Sequence, residues 1–276
     1  MNKYKELDRA QDLFENGLDD LDNIYNNLRL VAIYIRRNLN CKPKVLKETM
    51  YQYCENNIIG YKREKFYPII NKAINQAIKK GSCLINVESI PIYKEEVNYI
   101  NSLKISDDKN DYLCKKLMFS ILCRMKLNRE IFNQRNIEDK EFSGLFFKGG
   151  NKKYGELKRQ AKLPSNVDID DLFYLMNSLK LVTPMYEGLI RFDFVKNLKE
   201  IESTNKLYDV SQFEDIGWYY DLYMQDKTVK QCSQCGKLIK IKSKFDGRSK
   251  YCEKCAYEVN LEKQKERDLN KKHEKS

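Results

Sequence analysis

The stretch Lys230-Gln231-Cys232-Ser233-Gln234-Cys235-Gly236 and, with sixteen residues between Cys235 and Cys252, Cys252-Glu253-Lys254-Cys255 decide how the C-terminal part of this chain folds. Two C-x2-C knuckles at this separation match the spacing of a four-cysteine zinc site. Zinc takes four ligands in a tetrahedron, and thiolates at about 2.3 Å suit it. Each knuckle brings two sulfurs to one ion, and Gly236 supplies the positive φ that follows such a turn. Leu238, Ile239 and Ile241 read as strand, and Phe245-Asp246-Gly247 as a turn. The second knuckle opens a charged helix from Ala256 to Asn270 with Val259 and Leu261 as its apolar points. Strands followed by a helix resemble a treble-clef or zinc-ribbon module. So small a module builds little core, so one structural Zn2+ on Cys232, Cys235, Cys252 and Cys255 is expected to supply most of its folding free energy.

Other uses of the knuckles fit less well. Structural disulfides belong to oxidising compartments, and the first residues read as no signal or transit segment. A redox dithiol needs one knuckle rather than two. A catalytic zinc keeps an open position, and here four thiols fill the tetrahedron. The other cysteines, Cys41, Cys54, Cys83, Cys114 and Cys123, lie in or beside apolar patterns and read as small core residues. The one histidine, His273, stands at the C-terminal end, which argues against histidine-based acid–base catalysis and mixed Cys/His ligation.

The chain has 276 residues and a formal net charge of +11. Lys227 to Ser276 holds fifteen Lys and Arg against seven Asp and Glu, a balance of +8. Such concentration favours an anionic partner, nucleic acid or an acidic protein surface. No apolar run is long enough to span a membrane, so a cytoplasmic protein is expected.

Working back towards the N-terminus, residues 1–20 predict a peripheral helix carrying Leu7, Phe14 and Leu18. Leu21, Ile24, Leu28, Val31, Ile35 and Leu39 recur at helical spacing. Pro43 precedes a second helix with Val45, Leu46, Met50 and Tyr53. A third runs from Phe66 to Ile78 and stops at Lys79-Lys80-Gly81. Arg36 and Arg37 read as a solvated face. Ile90-Pro91-Ile92 reads as an extended connector or edge strand, and Lys94 to Leu103 as a short helix. These elements compose a helical domain over 1–105, closed by the polar break Ser106–Asn110.

A second domain is expected over 111–196. It contains a buried helix with Leu113, Leu117, Phe119 and Met125, a short helix over Tyr154–Ala161, and a helix from Val167 to Leu181 capped by Ser165 or Asn166. Leu181–Thr183 and Leu189–Phe194 then form a β-hairpin. The order is that of a winged helix-turn-helix, in which the helix after the turn commonly enters the major groove. Here that helix begins with Asp168, Asp170 and Asp171, which repel phosphate. The cations lie earlier, at Lys152, Lys153, Lys158, Arg159 and Lys162. With Lys240, Lys242, Lys244, Arg248 and Lys250 of the zinc module they make the candidate nucleic-acid-binding set. Residues 197–226 read as a polar linker and an aromatic helix, Phe213 to Tyr223, whose rings are expected to be buried. Residues 227–276 are the zinc module and basic tail. Overall the expectation is a mainly α protein.

Three segments carry a resemblance: Leu28–Tyr34 through Ala77–Lys80, Lys116–Leu122, and Cys232–Gly236 with Lys250–Cys255. On these the chain resembles a group of uncharacterised proteins carried by phages and mobile elements of low-GC Gram-positive bacteria. The resemblance implies a mobile-element origin in a bacterial host and the four zinc ligands; it implies no activity. The N-terminal helices are also similar to helical modules of phage replication primases, without a catalytic primase motif.

Gly-rich phosphate loops, metal–carboxylate motifs and nucleophile elbows are absent from the sequence, and no small-molecule substrate is suggested. The expected function is non-enzymatic nucleic-acid binding (DNA or RNA) in phage regulation or replication. The alternative is a protein-binding inhibitor of a host defence complex such as a CRISPR nuclease, a nucleoprotein whose basic groove would suit the acidic helix. An enzyme, such as a nuclease accessory, is the least supported class.

Overall fold

A computed structural model describes residues 4–18, 21–135, 146–199, 204–241 and 250–273. Among these the chain is mainly helical, with eleven α-helices and seven short strands. It divides into two compact units, Met1–Glu88 with Lys126–Gly144, and Ser89–Met125 with Leu145–Ser276.

The first unit is built on α1 (Glu6–Asn16), α2 (Ile24–Arg37), α3 (Pro43–Asn57) and α4 (Arg63–Ile78). Their apolar stripes meet in one cluster containing Leu28, Val31, Ile35, Leu46, Met50, Ile70, Ala73 and Ala77. Pro43 takes the first helical position of α3, where its missing N–H costs nothing. Gly81, at φ +77°, turns the chain after α4. The first helix is not peripheral. Ala10 and Leu13 are fully buried in the cluster, and the Tyr53 hydroxyl donates to the Leu13 carbonyl at 2.5 Å. Glu6 ties α1 further, accepting from Arg29 at 2.6 Å and from the Ile85 N–H at 3.1 Å. Alternate small and apolar residues, Ala10 and Leu13, were hidden among the charges of this segment. Leu21 and Leu39, expected in the α2 stripe, lie beyond its ends and are exposed.

In the second unit, β1 (Ile90–Tyr93) leads into α5 (Lys94–Ser102). Glu96 accepts from the Tyr93 N–H at 2.9 Å and closes the helix start. The partner of β1 is β5 (Lys206–Val210), antiparallel, with Ile90 opposite Val210 and Ile92 opposite Tyr208. That segment was expected to be polar linker. Its pairing partner lies more than a hundred residues away, and Lys206 and Asp209 mask the strand pattern.

α6 (Lys109–Gln134) is longer than expected and runs on past Met125, the last residue named for the buried helix, through the polar residues Asn128 to Gln134. Every position from Lys116 to Cys123 is buried. Around it lie β2 (Phe146–Lys148), α7 (Asn151–Gln160), α8 (Ile169–Ser178), β3 (Thr183–Pro184) and β4 (Leu189–Arg191). The strands form one antiparallel sheet in the order β2-β4-β3. Phe147, Phe173, Phe192 and Tyr154 pack ring against ring at 5.8–6.4 Å and join α7 and α8 to that sheet. α8 is capped by Asp168, whose carboxylate accepts from the Asp170 N–H at 3.0 Å, not by Ser165 or Asn166. α9 (Phe194–Lys199) follows the sheet.

α10 (Ile216–Tyr223) is the aromatic helix. Tyr219 and Tyr220 are buried, and Tyr220 meets Phe119 at 5.7 Å and Tyr112 at 5.6 Å. Gly217 is a close-approach position: a Cβ there would run into the Ala161 carbonyl and stand 2.9 Å from Lys116 Cε. Asp221, on the same helix, is 4% exposed. It pairs with Lys116 Nζ at 2.7 Å and accepts from the Tyr112 hydroxyl at 2.5 Å. Burial holds the Lys116 ammonium below the ordinary lysine value, while Asp221 pulls it back up. After α10 come β6 (Val229–Gln231), β7 (Leu238–Lys240) and α11 (Glu253–His273).

Candidate metal centre

β6 and β7 pair antiparallel, with Val229 opposite Lys240 and Gln231 opposite Leu238. Val229 and Leu238 are buried. Gln212, in the turn before α10, accepts from the Leu238 N–H at 2.6 Å through its side-chain oxygen and so fixes the hairpin. Gln212 was not singled out in the sequence; nothing local distinguishes a bracing glutamine from a solvated one.

The hairpin turn is the first knuckle. The Cys232 N–H donates to the Lys237 carbonyl at 2.7 Å and the Gly236 N–H to the Cys232 carbonyl at 2.9 Å. Gly236 takes φ +69°, the left-handed conformation that glycine adopts at low cost. The second knuckle starts α11, so Cys252 precedes the helix and Cys255 lies in its first turn. The helix N-terminus carries a partial positive charge, which favours thiolates there. The Ser233 N–H donates to the Lys250 carbonyl at 2.8 Å and joins the two knuckles.

This backbone brings the sulfurs of Cys232, Cys235, Cys252 and Cys255 within 4.8 Å of one another. Cys235 Sγ and Cys252 Sγ are 3.7 Å apart. Four thiolates at about 2.3 Å from one ion stand about 3.8 Å apart in a tetrahedron. The donor set therefore fits a metal ion. The Cys252 N–H points at Cys232 Sγ, 3.2 Å away. The Cys232 thiol is lowered to about 6, chiefly by the Cys235 N–H aimed at its sulfur, with those of Cys252 and Gln234 adding to it. Cys255 is pushed the other way by burial and by the neighbouring cysteines. N–H groups aimed at the Cys232 sulfur thus favour its thiolate form, the form that ligates a metal ion.

The remaining cysteines take no part. Cys54, Cys114 and Cys123 are buried, and Cys41 and Cys83 half-buried. Burial pushes the Cys54 and Cys114 thiols up to about 12.

The ten candidate nucleic-acid-binding cations are not equivalent. Lys240 and Lys250 are exposed beside the metal centre, as are Lys227 and Lys237; Lys242, Lys244 and Arg248 lie outside the described residues. Lys152, Lys153 and Arg159 are exposed on α7. Lys158 instead donates to the Ser165 carbonyl at 2.8 Å and to that of Val167, holding the α7–α8 turn. Lys162 pairs with Asp215 at 2.6 Å and lies 4.7 Å over the Trp218 ring. Both were read as free cations: the Asp215–Trp218 site that binds Lys162 is distant in sequence, and the carbonyls that bind Lys158, though only seven and nine residues on, reach it only once the α7–α8 turn has formed. Asp168, Asp170 and Asp171 are exposed at the start of α8. Comparison with protein-family models, curated proteins and solved structures finds no match. Among the described residues, no helix is long and apolar enough to cross a membrane.

Proposed function

We propose that this is a non-enzymatic nucleic-acid-binding protein of phage or mobile-element origin, whose zinc-ordered C-terminal module contacts phosphate in the bacterial cytoplasm. The observation that carries the reading is where the charge sits. From Lys227 to Cys252 there are eight Lys and Arg and one acidic residue, Asp246. From Glu253 to His273 there are six basic and five acidic residues. The positive charge therefore belongs to the segment before α11, not to the long helix. An all-thiolate tetrahedral set suits zinc and leaves no open position for substrate, so the ion orders the module. The hairpin-then-helix order is that of a treble clef. The order α6, α7, α8 and β3–β4, with β2 on the same sheet, supports a winged helix-turn-helix, used here as scaffold, since its α8 presents carboxylates.

A gel-shift series of zinc-loaded protein against duplex DNA, single-stranded DNA and RNA tests this. Binding should fall steeply with salt, and Lys237→Ala/Lys240→Ala/Lys250→Ala should flatten the salt slope by about two to three. Absence of binding at low salt by folded, one-zinc protein refutes it.

A second reading rests on α8 and the β3–β4 hairpin. Tyr174 is 75% and Tyr186 92% exposed, with Met185 beside them and the three aspartates at the helix start. Exposed aromatic and Met side chains with carboxylates at the start of α8 favour a basic protein surface, as for an inhibitor of a host defence nucleoprotein such as a CRISPR nuclease. Stoichiometric complex formation lost with Tyr174→Ala would support it over the first.

A further inference from the structure

The first unit is polarised. Residues 1–23 carry seven Asp and Glu against three Lys and Arg, whereas Lys42 to Lys80 carry nine Lys and Arg against three Glu. A general lysine bias would not sort charge by segment. All nine of those cations occupy exposed positions, on or beside α3 and α4.

Rings are interleaved with these cations. α3 places Lys44, Lys47 and Tyr51 at i, i+3 and i+7, and α4 places Arg63 and Tyr67 at i and i+4, so each set shares one helix face. The guanidinium of Arg63 stacks 4.1 Å from the centre of the Tyr51 ring. The Tyr51 and Tyr67 rings stack in turn, centroids 6.4 Å apart and 15° from parallel. Lys47 Nζ stands 5.8 Å from the Tyr67 ring centre. Tyr51 is 5% exposed and anchors the stack, while Tyr67 is 49% exposed. The core side of α4 is already filled by Ile70, Ala73, Ile74 and Ala77, so Tyr67 is not needed there. Glu48 stands 3.9 Å from Arg63 with both side chains more than half exposed. Such a pair is weak and a phosphate can displace it.

We infer that α3 and α4 form a second contact surface, specific for single-stranded nucleic acid: an unpaired base stacks on Tyr67, and Lys44, Lys47 and Arg63 hold the flanking phosphates. The inference rests on the nucleic-acid reading above but puts the contacts on a different unit. A single strand is favoured over a duplex because only an unpaired base offers its π face to a ring. Lys and Arg around an aromatic ring are how sequence-tolerant strand binders combine phosphate attraction with stacking.

The test uses the full-length, zinc-loaded chain and a single-stranded oligonucleotide carrying one 5-iodouracil. Ultraviolet crosslinking followed by trypsin should label the peptide Phe66–Lys72, which contains Tyr67. In titrations, Tyr67→Ala should weaken single-strand binding roughly 5- to 150-fold with the salt slope unchanged, the range expected for loss of one stacked base. Tyr67→Phe should stay within about twofold, which separates stacking from loss of the hydroxyl. Lys47→Ala/Arg63→Ala should lower the salt slope by about one to two. Circular dichroism confirms that each exposed-site variant remains folded. Wild-type affinity in Tyr67→Ala, or label confined to residues 227–273, overturns the inference. If the zinc-module triple variant loses binding at the same time, the nucleic-acid reading stands alone. If wild type binds no strand at low salt, both fall.

Discussion

Replacing Asp221 by alanine strikes the point on which the second unit is hung. Asp221 and Lys116 are 4% and 6% exposed, and their ion pair at 2.7 Å joins α10 to the buried helix α6. The Tyr112 hydroxyl donates to the same carboxylate. Truncating Asp221 leaves the Tyr112 phenol without this acceptor and the Lys116 ammonium without a counter-charge, with only the Lys162 carbonyl at 3.4 Å to accept from it. Removing one partner of a buried pair costs about 3–5 kcal/mol, a large share of the roughly 5–15 kcal/mol that keeps a protein folded. At about 2–4 °C per kcal/mol for a chain of this size, the melting temperature should fall by roughly 6–20 °C. The chain has one tryptophan, Trp218, on α10 itself, so urea unfolding followed by its fluorescence reads this unit directly. Lys116→Met/Asp221→Leu should recover most of the loss, because apolar residues of similar volume restore packing without leaving a lone charge. A loss below about 1 kcal/mol in Asp221→Ala, or a double variant as unstable as the single, would show that the pair is effectively solvated and the reasoning wrong.

Cys252→Ser should reduce bound zinc from one ion per chain to none, removing a binding free energy of about 10–16 kcal/mol that the small module cannot replace. Elemental analysis and limited trypsinolysis confined to residues 227–273 check this; retained zinc would contradict it. Cys54 and Cys114, both pushed up to about 12 by burial, should resist iodoacetamide at pH 8 in folded protein and react only in denaturant, as read by mass mapping. Burial, and then the bond to Asp221, raise the Tyr112 hydroxyl above the ordinary tyrosine value. Above about pH 10 an unfolded tyrosine ionises while the folded one keeps its proton, so stability falls as pH rises. Tyr112→Phe should therefore lose less stability than wild type between about pH 8 and pH 11, measured by urea titration; identical losses would refute the assignment.

Much of the helical architecture was legible because its signal is local. The stripes of α2 and α4 follow the 3.6-residue period, and the stop at Lys79–Gly81 is written in adjacent residues. The metal centre was the most legible feature, since each knuckle builds half a site from four consecutive residues. β5 was missed because a strand with Lys206 and Asp209 on it is recognisable only beside β1. The end of α6 was missed because Asn128 to Gln134 looks polar in isolation. The cap at Asp168, in place of Ser165 or Asn166, depends on where the α7–α8 turn ends, which Lys158 settles by binding carbonyls after the helix.

What the sequence by itself determined, then, is helical class, four cysteines spaced so that they could hold a metal ion, and the placement of charge, all properties of residue type and short spacing. Only the tertiary structure decided which of those charges are free. It consumed Lys158, Lys162 and Lys116 in contacts with groups 7, 53 and 105 residues away. It left Lys237, Lys240, Lys250 and the Lys47–Tyr67 face open. The physical reason is that a cation's role depends on its nearest acceptor in space, and folding brings that acceptor from parts of the chain that no local pattern can see.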